Sequence, residues 1–230
     1  MKKALIIFAR EAVPGKVKTR LAASVGPQAA AGIYDGMLRD VLEGCRRLAD
    51  VTPVLFWSRT DTPFEVLAAR YGHQAREQSD GDLGERMGNA FAETFTDGSD
   101  ICCIIGSDSP DLPPAYIRHA FELLEGGEAD AVFGPAEDGG YYLLGLRENR
   151  RELFEGIPWG TPQVLETSLE RARSLGLRSA FLPPWYDIDT LDDLLRLTRS
   201  APANARRTRE AAGRLLKDNA NLTPSEELAP

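Results

Sequence analysis

Between Arg10 and Leu21 the chain carries Gly15, Lys16, Lys18 and Arg20, with Pro14 just ahead of the glycine. Gly15 permits a tight turn, and three cations within five residues can neutralise a di- or triphosphate. Arg20 would do so through its planar fork and the lysines as point charges. The plain alternative is a solvated basic loop. Position favours chemistry, because the loop follows an unbroken apolar run, Ala4 to Ala9, of the kind that forms a strand buried on both faces of a parallel sheet. Loops at the carboxyl ends of such strands face the ligand crevice.

A second candidate is Gly106-Ser107-Asp108-Ser109-Pro110-Asp111, directly after the apolar run Ile101 to Ile105. Asp108 there can offer a carboxylate to a metal that bridges phosphates, whereas Asp111 is better placed to cap the next helix. In Tyr186-Asp187-Ile188-Asp189-Thr190, the two aspartates alternate on one side of an extended segment. Asp189 reads equally as a second metal ligand or, with Thr190, as a helix cap.

Glu137 and Asp138 precede the turn Gly139-Gly140, which would let a ligand approach the backbone. Their carboxylates can hold hydroxyl groups or, for Asp138, act as general base; an acidic β-turn is the alternative, favoured for Glu137. The loop from Gln78 to Gly84, with Gly81 and Leu83, can line a nucleotide base or merely connect two elements. In Trp159-Gly160-Thr161-Pro162, Thr161 and Pro162 predict a helix start, and Trp159 offers an aromatic platform to an acceptor.

Several chemistries fall away. Arg10 stands where a Walker loop needs glycine and Val17 where it needs Ser or Thr, and no G-x-G-x-x-G follows the first strand. The Asp187–Asp189 pair lies far from the first strand and has its threonine one place too early for a haloacid-dehalogenase phosphatase. His73 and His119 are the only histidines, and neither has the neighbours of a zinc centre or a catalytic triad. The three cysteines, two of them adjacent at Cys102 and Cys103, predict reduced core residues. Any metal should therefore have oxygen ligands, which points to Mg²⁺ or Mn²⁺. The net charge is −8, yet residues 1–21 carry six cations against Glu11 alone, leaving that segment at +5 and the remainder at −13. A compact basic loop on an acidic protein suits a small polyanion, not nucleic acid.

The elements that must position these residues follow from periodicity. Apolar residues from Ile33 to Leu48 keep helical spacing for about four turns. Further strands are expected at Pro53–Trp57, His73–Arg76, Ala131–Gly134, Tyr141–Leu146 and Ala180–Leu182, and helices at Phe64–Tyr71, Gly84–Phe95, from Pro113 to Leu124, after Pro162 and from Leu191. Alternating strands and helices predict one α/β domain over residues 1–200, a three-layer α/β/α open, mostly parallel sheet. Residues 201–230 are polar, with a helix expected at Ala205–Lys217 and a frayed end from Thr223. Arg10 and Glu11 cut the first apolar run short of a signal peptide, and no other stretch approaches a membrane span, so the expected location is the cytoplasm. Oligomeric state leaves no trace in the sequence.

Taken in order, the segments PGKVKTRLA, GDLGERM, GSDSPDLP, EDGGYYLLGL, WGTP and DIDTLDDL resemble a bacterial family of glycosyltransferase-like proteins, the domain of unknown function 2064. The resemblance covers roughly residues 4–198. It implies the nucleotide-diphospho-sugar transferase (GT-A) fold, with nucleotide phosphates at the first loop and metal at the aspartate after the fourth strand. On that reading Ala9, Arg10, Gly15, Lys16, Lys18, Arg20, Gly81, Leu83, Gly84 and Ser107 bind the nucleotide. Asp108 and Asp189 take Mg²⁺ or Mn²⁺. Lys18, Arg20 and Asp138 carry the catalysis, and Glu137, Gly139, Gly140 and Trp159 receive a small-molecule acceptor. The first loop is also similar to that of phospholactate and molybdenum-cofactor guanylyltransferases, although the Gly-Gly start of the latter and the D-x-D of many sugar transferases are missing. Glycosyl transfer from a nucleotide sugar is the first expectation. Nucleotidyl transfer from a nucleoside triphosphate and a non-catalytic nucleotide-sugar-binding module are the alternatives.

Overall fold

In the computed structural model, residues 1–200 and 204–218 are described. The expected frayed end from Thr223 lies outside them.

Strand β1 (Lys3–Ala9) is the centre of the molecule. Beyond Lys3 it has only apolar side chains, because both of its faces are covered. After helices α1 (Thr19–Val25) and α2 (Pro27–Cys45), strand β2 (Val51–Trp57) pairs parallel to β1 on one side. Helix α3 (Phe64–Tyr71) leads to the edge strand β3 (Ala75–Glu77), and α4 (Leu83–Thr96) then carries the chain back to β4 (Ile101–Ile105) on the other side of β1. The remainder is α5 (Pro114–Glu125), β5 (Ala131–Pro135), β6 (Tyr141–Leu146), α6 (Val164–Ser174), β7 (Ser179–Phe181), α7 (Leu191–Arg199) and α8 (Arg206–Asp218). The sheet order is β3-β2-β1-β4-β6-β5-β7, and only β6 runs against the others. The chain leaves β1 towards β2 and returns to its opposite side as β4. A crevice therefore opens beyond the carboxyl ends of these two strands.

Alternate residues of the strands build two separate layers. Leu5 and Ile7 pack with Leu38 of α2, Leu67 of α3 and Phe121 of α5, while Ala4 and Ile6 pack with Phe91 of α4, Ala172 of α6 and Phe154 from the short 3-10 turn Arg151–Phe154. The three-layer α/β/α arrangement thus follows from period-two burial on both faces. Each fully buried Leu or Ile contributes about 1.5–3 kcal/mol.

A further cluster joins Leu21 of α1, Met37 of α2, Leu194 of α7 and Ala212 of α8. Gly36 has no Cβ to hold α8 away; one would lie 3.3 Å from the Thr208 backbone nitrogen. The buried carboxylate of Asp40 on α2 accepts from the Arg207 N–H (3.1 Å), the Thr208 N–H (2.8 Å) and the Thr208 hydroxyl (2.8 Å). One helix thereby caps another, satisfying N–H groups that the first turn of α8 leaves unpaired.

The structure corrects three local expectations. The basic loop does not run on to Leu21 but turns into α1 at Thr19. Thr161 is not the cap of α6, which starts at Val164 after Gln163. Its hydroxyl instead donates to the Pro158 carbonyl and accepts weakly from the Gln163 N–H, so a local turn competes with the cap. Asp111 does not cap α5, whose N-terminus is Pro113 followed by Pro114. Asp111 has stronger partners, accepting from the Tyr186 hydroxyl (2.7 Å) and the Trp185 indole N–H (3.2 Å).

Candidate functional site

The crevice beyond β1 and β4 encloses about 710 Å³. The loop after β1 enters it through Lys18, whose backbone is left-handed (φ 46°, ψ 50°) immediately before α1. Such a conformation is costly for a residue with a side chain. The ammonium that this turn delivers lies 2.5 Å from Asp108 Oδ1 and 2.8 Å from Asp189 Oδ1, and the side chain is only 4% exposed. Burial disfavours its charge, but the two carboxylates outweigh that, and the Lys18 pKa is raised. Arg20 approaches the other Asp189 oxygen at 3.6 Å from a far more exposed position.

Asp108 stands in the loop after β4, and Asp189 in the extended segment before α7. The two segments are tied together because the Ile188 N–H donates to the Asp108 carbonyl at 2.9 Å. Thr190 and Asp193 form a reciprocal capping box at the start of α7, so capping falls to Thr190 and the Asp189 carboxylate is left for Lys18 and Arg20. Asp187 also lines the crevice, holding the Ser109 hydroxyl at 2.6 Å. Burial, followed by the charge of Asp108, lifts its pKa to about 6 against the opposing Ser109 bond.

Tyr34 of α2 links the two loops from below. Its hydroxyl accepts from the Arg10 N–H at 2.9 Å and shares a 2.7 Å hydrogen bond with Ser107 Oγ. Burial, reinforced by the charge of Asp108, pushes its pKa up to about 12, so at neutral pH it stays a phenol. On the other wall, Gln78 is buried and donates to the Phe56 carbonyl (2.8 Å), while its Oε1 accepts from Arg86 (3.0 Å). Arg86 and Arg10 both line the crevice, and among the described residues neither forms an ion pair with a carboxylate. Burial and then the nearby Arg10 charge depress the Arg86 pKa.

The far end of the crevice is aromatic. Trp159 lies edge-to-face with Tyr141 at 6.4 Å and covers Gly84 at the start of α4. Asp138 lies at the rim, its Oδ1 accepting from the Gly140 N–H at 2.9 Å.

Of the residues singled out in the sequence, Ala9, Arg10, Lys18, Arg20, Leu83, Ser107, Asp108, Asp138, Gly140, Trp159 and Asp189 line this one crevice. Others do not. Gly15 and Lys16 sit in the exposed part of the first loop, Gly81 (φ 108°) lies under the Glu85 side chain, and Gly84 is buried beneath Trp159. Gly139 (φ 91°) faces the Pro162 carbonyl, where a Cβ would lie 2.2 Å away. Glu137 is held by both arms of Arg196 at 2.6 and 2.8 Å. Sequence reasoning missed Tyr34 and Arg86, whereas Gln78 opens the loop it had put forward as a lining for a nucleotide base. Tyr34 was masked by its place on the apolar stripe of α2, whereas Arg86, one turn into α4 from Asp82, left a readable signal in the run of glycines and charges from Gly81 to Arg86.

The hard oxygen donors of Asp108 and Asp189 suit Mg²⁺ or Mn²⁺, which take one or two carboxylates and complete their shells with water and phosphate oxygens. Among the described residues no group of three or more His, Cys, Asp or Glu is arranged to hold a metal ion. No described helix is long and apolar enough to cross a membrane.

Strand order and crevice together define the nucleotide-diphospho-sugar transferase fold. The chain belongs to the family described as "Uncharacterized protein conserved in bacteria", domain of unknown function 2064, whose profile matches residues 41–161. It is similar to a protein of Desulfovibrio desulfuricans G20 provisionally named a nucleotide-diphospho-sugar transferase, at 35% identity over 96% of each chain with a TM-score of 0.87. More distant likeness, of fold alone, extends to a CMP:2-keto-3-deoxy-manno-octonic acid synthetase complexed with CTP (14% identity, 85% of this chain and 96% of that one, TM-score 0.56). It extends also to glucosyl-3-phosphoglycerate synthase from Mycobacterium tuberculosis, seen with Mn²⁺ and UDP (15% identity, 100% of this chain and 83% of that one, TM-score 0.54). No curated protein matches the chain in sequence.

Proposed function

We propose that this protein transfers a glycosyl group from a nucleotide sugar to a small-molecule acceptor, using Mg²⁺ or Mn²⁺. The observation that carries the reading is the convergence of Lys18, Arg20, Asp108 and Asp189 on one crevice at the switch point of the sheet. The name given to the Desulfovibrio protein, 35% identical over nearly the whole chain, supports the same class.

Asp108 and Asp189 would hold the metal, which supplies neutralising charge to the leaving nucleoside diphosphate. Lys18 and Arg20 add fixed positive charge for the same phosphates, and Arg10 and Arg86 grip them from the opposite wall. Ser107 and Leu83 lie along the nucleotide's path. Trp159 offers its face to the sugar or acceptor beside Gly140. Asp138 receives the proton of the acceptor hydroxyl as the bond from the anomeric carbon to the diphosphate oxygen breaks and the bond to the acceptor oxygen forms.

Calorimetric titration of UDP and GDP in the presence and absence of Mn²⁺ tests the site. Asp108→Asn should abolish the metal-dependent part of binding while the far-ultraviolet circular dichroism stays unchanged. Unchanged metal-dependent affinity in that variant would remove Asp108 from the site.

A further inference from the structure

The place between Asp108 and Asp189 is filled by the protein's own cation. The Lys18 ammonium contacts Oδ1 of both residues, at 2.5 and 2.8 Å. A metal ion held by the same two carboxylates would compete with the ammonium for them. We propose that Lys18 is a displaceable internal cation: a divalent metal enters the Asp108–Asp189 site only by expelling the Lys18 ammonium, which then turns to the phosphates of the incoming ligand. This rests on the transfer reading for the ligand's identity, but the displacement itself is a property of the three side chains.

Three observations carry it. The first is burial, since a 4%-exposed ammonium between two carboxylates is held by charge and not by solvent. The second is backbone strain. Lys18 is one of only two described non-glycine residues with positive φ, and a left-handed lysine persists only when its surroundings over-determine it. Releasing the ammonium removes part of that restraint and lets the turn relax, which gives the segment two arrangements.

The third is the balance of charge. Lys18 and Arg20 are engaged by Asp108 and Asp189, so these two cations are not offered to a diphosphate until the carboxylates find another partner. Metal alone must first expel an ammonium into a crevice that already holds Arg10 and Arg86. When both bind, the metal takes the carboxylates and the freed ammonium takes the phosphate. Metal and nucleotide therefore favour each other's binding through Lys18.

The test is Mn²⁺ binding to the nucleotide-free protein, followed by electron paramagnetic resonance, in the wild type and in Lys18→Met. The variant, though it has lost a cation, should bind Mn²⁺ about tenfold more tightly or better, within the usual range for coupled sites. Equal or weaker binding overturns the proposal. Should Lys18→Met fail to fold, nitrogen-15 labelling of the five lysines in the wild-type protein decides the matter. The Lys18 ammonium signal should shift saturably as Mg²⁺ is added, and a signal that stays unmoved at saturating Mg²⁺ contradicts displacement. Neither readout involves turnover, so loss of this proposal leaves the transfer reading standing, and loss of the transfer reading leaves the displacement testable.

Discussion

Trp159 lies against Gly84 so closely that a Cβ on the glycine would sit 2.7 Å from the indole Nε1. The contact joins the start of α4 to the loop before α6, and the missing side chain of Gly84 lets Trp159 settle into the crevice wall.

Gly84→Ala should therefore destabilise the protein by about 1–3 kcal/mol, the usual cost of overpacking. That outweighs the gain of about 1 kcal/mol or less that alanine brings to a helix. Urea unfolding measures the balance, and near-ultraviolet circular dichroism should register the displaced indole. A variant as stable as the wild type would show that Trp159 moves freely.

Arg86 is expected to serve binding more than stability. It is partly buried near Arg10, and its hydrogen bonds run to the Gln78 side chain and the Asp82 carbonyl, not to a carboxylate. Arg86→Gln should weaken pyrophosphate binding by about 1.5–3 kcal/mol, the range for a hydrogen bond to a charged group. The urea midpoint should stay where it is or rise. Calorimetry and urea unfolding on the same variant check both halves.

Away from the crevice, Asp130 at the start of β5 accepts two side-chain bonds from Arg178 (2.9 and 2.7 Å) and one from the Arg178 N–H (3.0 Å), fixing β7 beside β5. The Arg178 hydrogen bond lowers the Asp130 pKa to about 2 from an ordinary value of 3.8. A depressed carboxylate stabilises the fold above its unfolded pKa, and that stability is lost as pH falls through the folded value. Asp130→Asn should thus lower the melting temperature at pH 7, with the gap to wild type closing between about pH 4 and pH 2. A gap that is constant with pH would mean the pair contributes no linked stability.

Much of this architecture is legible in the sequence for a simple reason. The runs Ala4–Ala9 and Ile101–Ile105 are buried on both faces and so read as central strands, and each delivers its following loop to the crevice. That sufficed to bring Lys18, Arg20 and Asp108 forward. What the sequence could not reveal are pairings across long separations. Lys18 meets Asp189 over 171 positions, and Asp111 is claimed by Tyr186 over 75, which is why it does not cap α5. Helix α1 was missed because its seven residues are too few for periodicity to register. Glu137 was drawn away by Arg196, a surface partner that local spacing does not predict.

The central claim concerns which bond is broken. Incubating the protein and Mg²⁺ or Mn²⁺ with pooled nucleotide sugars and acceptors, and separately with nucleoside triphosphates and sugar phosphates, allows the products to be followed by phosphorus NMR. Glycosyl transfer predicts free nucleoside diphosphate from the nucleotide-sugar pool. Release of pyrophosphate from the triphosphate pool would contradict it.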